Sequence, residues 1–138
     1  MELAGGLRRG EIGFGRFLRN PAVTVPALSE AAGRRTGERV AGRDILAIQD
    51  TSEIVLGGPK MRQAGFGPVG RGGFLGGVLV HPVLAVDAAS GELVGLADIA
   101  VWNRSKPLKA HRANRPLAEK ESQKWLNGAR RASDVLSK

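Results

Sequence analysis

Apolar residues in this chain fall into three short runs separated by glycine, proline and charge. The first is Ile45-Leu46-Ala47-Ile48, the second spans Leu75 to Val86 within Phe74 to Ala88, and the third spans Leu93 to Val101. The second and third are joined by Asp87-Ala88-Ala89-Ser90-Gly91-Glu92. Two branched-rich runs linked by a few small and polar residues with a glycine predict a β-hairpin. Ile45 to Ile48 predicts a strand buried on both faces or nearly so, with Glu53 to Leu56 continuing it. Added to the hairpin, it makes three strands. Pro82, inside the second run, points to an edge position or a bulge.

Helical spacing is weaker. Thr24 is a candidate N-cap, with Pro26 near the first turn, for a helix from about Val25 to Val40. Its stripe is Leu28, Ala31, Ala32 and Val40. Arg34, Arg35 and Arg39 beside it are either phosphate contacts or a solvated face. Phe14 to Leu18 reads as one helical turn or two after an irregular leader, stopped by Asn20-Pro21. After Pro116, Glu119 to Leu126 predicts a helix with acids early and Lys124, Arg130 and Arg131 late, as the macrodipole favours. Leu117, Trp125, Leu126, Ala129 and Ala132 are its expected buried side, and Ser133-Asp134 its expected end. Gly57 to Gly73 holds seven glycines and two prolines, so no regular element is expected there.

Composition narrows the class. With 138 residues the chain has room for one domain and one core. Aromatics are only 4%, so that core must rest on Val, Leu, Ile and Ala. Cysteine is absent, which excludes disulfides and Cys-based zinc sites and fits a reducing cytoplasm. No stretch reaches membrane-spanning length, and Met1 to Gly10 lacks the apolar centre of a signal peptide. A cytoplasmic protein without membrane partners is the default expectation. The net charge of +8 calls for a polyanionic partner, most simply nucleic acid.

Candidate chemistry begins at Asp50, a carboxylate directly after the first apolar run. It either starts a turn with Thr51 and Ser52, or carries a charged partner such as a metal ion. Lys60, Arg62 and Arg71 lie in the Gly-rich passage without an acid. Such a loop can wrap phosphate, although it matches neither nucleotide-binding glycine pattern. Arg104 leaves the third run, and Lys106, Lys109, Arg112 and Arg115 follow with His111 and no acid. That basic connection is the best single stretch for phosphate contact. His81 reads as structural.

In order along the chain, several segments resemble the DDE transposases of bacterial insertion sequences. Ile48-Gln49-Asp50-Thr51-Ser52 resembles their first catalytic motif, and Phe17-Leu18-Arg19-Asn20-Pro21-Ala22-Val23 the join between their DNA-binding head and catalytic core. Gly65-Phe66-Gly67-Pro68-Val69-Gly70 with Val80-His81-Pro82-Val83-Leu84-Ala85-Val86 is similar to their first-to-second-strand passage. Gly91 to Leu96, Trp102-Asn103-Arg104 and Glu119 to Leu126 fit their third strand, its exit and the following helix.

The resemblance implies an α+β or α/β fold, the front half of a ribonuclease-H-like core with three antiparallel strands and flanking helices. It implies residues 1–43 as leader and helical join, and 44–138 as an incomplete core. It implies Asp50 as the first of three carboxylates that hold Mg²⁺ or Mn²⁺. The family's second Asp and its Glu have no counterpart here; Asp87 falls in the hairpin turn and Asp98 on the third strand. The expectation is therefore a transposase fragment, inactive alone, with DNA and possible transposase subunits as partners. Two alternatives stand beside it: a small basic nucleic-acid-binding protein without catalysis, and a regulatory fragment that inhibits the full-length enzyme.

Overall fold

A computed structural model describes residues 3–104 and 122–137, with side chains from Arg8 onward. Two helices, α1 (Leu3–Arg19) and α2 (Val25–Gly37), precede strands β1 (Ile45–Gln49) and β2 (Ser52–Gly57). The short helix α3 (Pro59–Gln63), strand β3 (Gly67–Val69) and a 3₁₀ turn at Arg71–Gly73 follow. Then come β4 (Leu75–Asp87), β5 (Leu93–Trp102) and helix α4 (Ser122–Leu136). The fold is α+β: an open antiparallel sheet flanked by helices.

Five strands are seen among the described residues, and all of the other four pair with β4. β1 runs against Val83 to Asp87 and β2 against Gly76 to Val80, so the two share one side of β4. β5 takes Leu79 to Val86 and β3 takes Leu75 to Gly77 on the other side. The predicted hairpin is therefore present as β4–β5. Three expectations are corrected. Pro82 sits in the central strand, not at an edge, while the alternative expectation of a bulge is met beside it, where the β4–β5 register shifts between Val83 and Leu84; β1–β2 is interrupted at Asp50-Thr51, the residues that the register places opposite Pro82 and His81. A proline cannot donate to a ladder, and the neighbouring strand breaks at that point. The Gly-rich passage is not structureless but carries α3 and β3, because Val69 and Pro68 find burial against the start of β4. Finally, β1 is not buried on both faces. Leu46 and Ile48 are each about half exposed, because β1 is an edge strand and both side chains point to the face opposite α4, where α3 covers only the far end at Gly76.

That one-sidedness shows in β4. Leu79, His81, Val83 and Ala85 are fully buried, while the alternate Val78, Val80, Pro82, Leu84 and Val86 are half-buried. Successive side chains point to opposite faces, so the first set lies under the helices. On β5 the register skips Ala97 between Leu96 and Asp98. A bulge of this kind turns two consecutive side chains the same way, and both Ala97 and Asp98 are buried.

α2 starts as expected at Thr24, whose hydroxyl accepts from Ala27 N at 3.2 Å. It ends three residues early, at Gly37, and its buried positions are Gly33, Thr36 and Gly37 while Leu28 is exposed. The reason is its place along the free edge of β5. The Thr36 hydroxyl bonds Leu96 O at 2.9 Å, and Ile99 N donates to Ser29 Oγ at 3.3 Å. A Cβ on Gly33 would lie 3.0 Å from Ala97 O, so only small residues allow this approach. α2 thus satisfies edge groups that would otherwise face water or another strand.

α4 also differs from expectation. It continues through Ser133-Asp134, which are exposed on its outer side, to Leu136. Its buried positions are Gly128 and Ala132, with Val135 and Leu136 packed against Val83 and Ala97. Trp125, Leu126 and Ala129 are exposed or nearly so. Leu117 lies outside the described residues. α1 is far longer than the one or two turns expected, running from Leu3 to Arg19 through the glycines read as an irregular leader.

Candidate functional site

The break between β1 and β2 is the most chemically structured part of the sheet. Gln49 and Thr51 flank Asp50 and turn toward the helix-covered face. There both meet the imidazole of His81, which is fully buried. Thr51 Oγ1 lies 2.8 Å from Nδ1, and Gln49 Oε1 lies 3.1 Å from Nε2. A glutamine carbonyl oxygen only accepts, so Nε2 carries the proton and the Thr51 hydroxyl donates to Nδ1. Trp125 of α4 covers the ring at a centroid distance of 5.0 Å. Close packing of α4 makes this possible: a Cβ on Gly128 would stand 3.3 Å from Gln49 Oε1 and 3.4 Å from His81 Cδ2. His81 is thus structural, and what it holds is the chain on either side of Asp50. Asp50 itself is exposed, and its Oδ1 accepts from Thr51 N at 2.7 Å. The burial argument for a metal at Asp50 accordingly lapses, since water reaches the carboxylate.

Burial pushes the His81 imidazole below its ordinary value near 6.5, against the pull of Asp50 and Asp98. Two carboxylates are lowered too. Glu53 is held down by the Gly70 N–H at 2.7 Å and by its ion pair with Arg104. Asp87 is held down by Ser90 N–H and by Arg43 at 2.9 Å. All three act in one direction. Where the folded protein resists protonation more than the unfolded chain, stability rises with pH. His81 contributes fully above pH 6.5 and loses its contribution as pH falls toward its depressed value; Glu53 and Asp87 lose theirs below their ordinary values of 4.5 and 3.8. Thermal melts are expected to show a falling midpoint from pH 7 to 5 and a steeper fall below 4. In His81→Gln the upper part of that dependence should flatten. An unchanged slope between pH 7 and 5 would show that His81 does not titrate on unfolding.

The basic residues singled out from sequence are placed as follows. Lys60 and Arg62 are on α3, and Arg62 donates to Phe66 O at 2.9 Å, bracing its own loop. Arg71 is exposed on the 3₁₀ turn. Arg104 pairs with Glu53, whose other oxygen receives Gly70 N. These four belong to the passage beside the start of β4 and the end of β5. Asp50 stands opposite Pro82, some five residues further along β4, or roughly 17 Å at strand rise. Lys106, Lys109, Arg112 and Arg115 lie outside the described residues. Sequence reading missed Glu53, the anchor that ties Gly70 to Arg104, and the Asp98–Arg131 pair, in which Nε and Nη2 reach the two carboxylate oxygens at 2.9 and 2.7 Å. The alternation Gln49, Thr51 around Asp50, facing a buried His81, was the available signal for the clamp.

Among the described residues no group of three or more His, Cys, Asp or Glu side chains is placed to hold a metal ion. One exposed carboxylate does not make a Mg²⁺ site, and the described residues do not fit the metal pair that the resemblance implies. No described helix is long and apolar enough to cross a membrane. Comparison of the sequence with protein-family models and with curated proteins finds no match.

Proposed function

We propose that this chain is a DNA-binding piece of a transposase-type, ribonuclease-H-like core, which binds DNA but does not cut it alone. The observation that carries the reading is the placement of Asp50. It is exposed at the end of β1, beside the central strand of an antiparallel array continued by β5 and α4. That is the order in which the resembling motifs run. The net charge of +8 and the exposed Lys60 and Arg71 support a polyanionic partner. Mg²⁺ or Mn²⁺ belongs to the family's chemistry; with Asp50 as the one assigned carboxylate, two ions cannot be held in register.

The test is duplex binding across a salt series in EDTA. Log affinity should fall linearly with log salt, and Lys60→Ala and Arg71→Ala should each reduce the slope by about 1. Asp50→Asn should bind several-fold tighter, because it removes a carboxylate facing phosphate. Equal affinity for Asp50→Asn and wild type would place Asp50 away from the DNA and favour a basic binding protein of another kind. In Mg²⁺ or Mn²⁺ no nicking is expected. Turnover abolished by Asp50→Ala would show that the chain carries a complete centre.

A further inference from the structure

α1 projects from the fold with its side chains in water. From Arg8 to Arg19 every residue is exposed except the half-buried Gly15. The corner behind it is fastened. Asn20 N bonds Phe17 O at 3.1 Å, Val23 N bonds Asn20 O at 2.9 Å, and Ala22 N bonds Asn20 Oδ1 at 3.0 Å. Pro21 stiffens the same turn, and α2, which begins directly after Thr24, is tied to β5. The helix is therefore carried on a braced support.

Its charges are sorted around the axis. At 3.6 residues per turn Arg8, Arg9, Arg16 and Arg19 fall within an arc of about 100°. Phe14, Phe17 and Leu18 lie on the opposite side, and Glu11, the single acid among the described side chains of α1, lies next to Leu18 and outside the arginine arc. Among the described residues no ion pair or hydrogen bond occupies any of these four guanidinium groups. Cations elsewhere stand closer to balance. Arg43, Arg104 and Arg131 are paired with Asp87, Glu53 and Asp98. Arg34 and Arg35 stand between Glu30 and Glu38, and Arg130 is one helical turn from Asp134.

We propose that the arginine face of α1 is a duplex-binding surface of this chain, seated across the DNA major groove with one arginine pair on each phosphate wall. This rests on the DNA-binding reading above and names the surface that makes the contact. The two pairs, Arg8 with Arg9 and Arg16 with Arg19, are separated by roughly 10–17 Å at helix rise. The major groove is about 12 Å wide. Between the pairs the same arc carries Ile12, which has no donor or acceptor for a base edge, so the contact is with phosphate and independent of sequence. An anionic membrane surface is the competing polyanion. There Phe14, Phe17 and Leu18 would enter the lipid, and the arginines on the far side would point away from the headgroups. On a duplex the charged arc meets the charge directly.

Anisotropy of the full chain on a short labelled duplex of arbitrary sequence, across a salt series, tests this. The slope of log affinity against log salt should fall by about 2 in Arg16→Ala with Arg19→Ala, and by about 4 when Arg8→Ala and Arg9→Ala are added. Arg16→Lys with Arg19→Lys should keep the wild-type slope, because a phosphate contact needs the charge. Arg130→Ala removes an equally exposed charge from α4 and should leave the slope unchanged. All of these positions are exposed, so circular dichroism spectra should match wild type. An unchanged slope in Arg16→Ala with Arg19→Ala overturns the proposal and leaves the DNA-binding reading standing. So does a loss in Arg130→Ala as large as that per arginine of α1, which means that net charge alone acts. A wild type without salt-dependent duplex binding overturns both. Capture on phosphatidylserine vesicles that is lost in Phe17→Ser, with a duplex slope indifferent to the arginines, assigns α1 to lipid instead.

Discussion

Gly77→Ala is expected to cost about 3 kcal/mol of stability, a large share of what a domain of this size possesses. Gly77 is buried and flanked on both sides, by Val55 of β2 and Gly67 of β3. A Cβ there would overlap the carbonyl oxygen of Ile54 and stand 2.6 Å from Val69 Cγ2. The carbonyl belongs to backbone and cannot rotate aside, and Val69 is 1% exposed and has nowhere to go. Relief would require β2 or β3 to leave β4, with loss of the Gly70–Glu53–Arg104 link as well. Urea denaturation measures the effect. Gly13→Ala is the control: its Cβ would meet nothing within 4 Å, and in a helix the change should be neutral or stabilising by up to about 1 kcal/mol. Similar midpoints for the two variants would refute the crowding argument.

Arg131→Met should cost about 2 kcal/mol by stranding the Asp98 carboxylate. Asp98 is 5% exposed, and both its oxygens are taken by Arg131. The same hydrogen bonds hold the guanidinium above its ordinary value. The cost stays at the lower end for a buried pair because the Arg131 side chain is half exposed, so water screens the interaction. Replacing both partners, Asp98→Ala with Arg131→Met, should be less damaging than the sum of the single changes, since no orphan charge remains. A strictly additive double mutant would show that the pair contributes no coupling between β5 and α4.

How much of this was legible beforehand varies by element. The β4–β5 hairpin stood out because long branched runs around a Gly-containing turn specify local pairing. Thr24 announced α2, since a cap is a local hydrogen bond. The depth of burial was not legible. Ile45 to Ile48 looks like a core strand, but only the position of β1 at a sheet edge decides that Leu46 and Ile48 meet water. Likewise the packing side of α4 was sought in Trp125 and Leu126, where size suggests a core. The helix instead approaches through Gly128 and Ala132, because close backbone contact with β4 and β5 selects small residues.

The candidate site divides in the same way. Asp50 was visible as a carboxylate ending an apolar run, and its exposure places it where a polyanion can reach. Its support was not visible, because His81 lies 30 residues beyond Thr51 and 32 beyond Gln49. Sequence alone settled the strand-forming runs, the helix cap at Thr24, the basic surplus and the absence of cysteine, all of them properties of residues or near neighbours. Tertiary structure alone decided which face of the sheet is covered, which acids are paired, and that the chain around Asp50 is bolted to a buried imidazole. Those depend on which distant segments β4 draws together, and side-chain spacing carries no information about that.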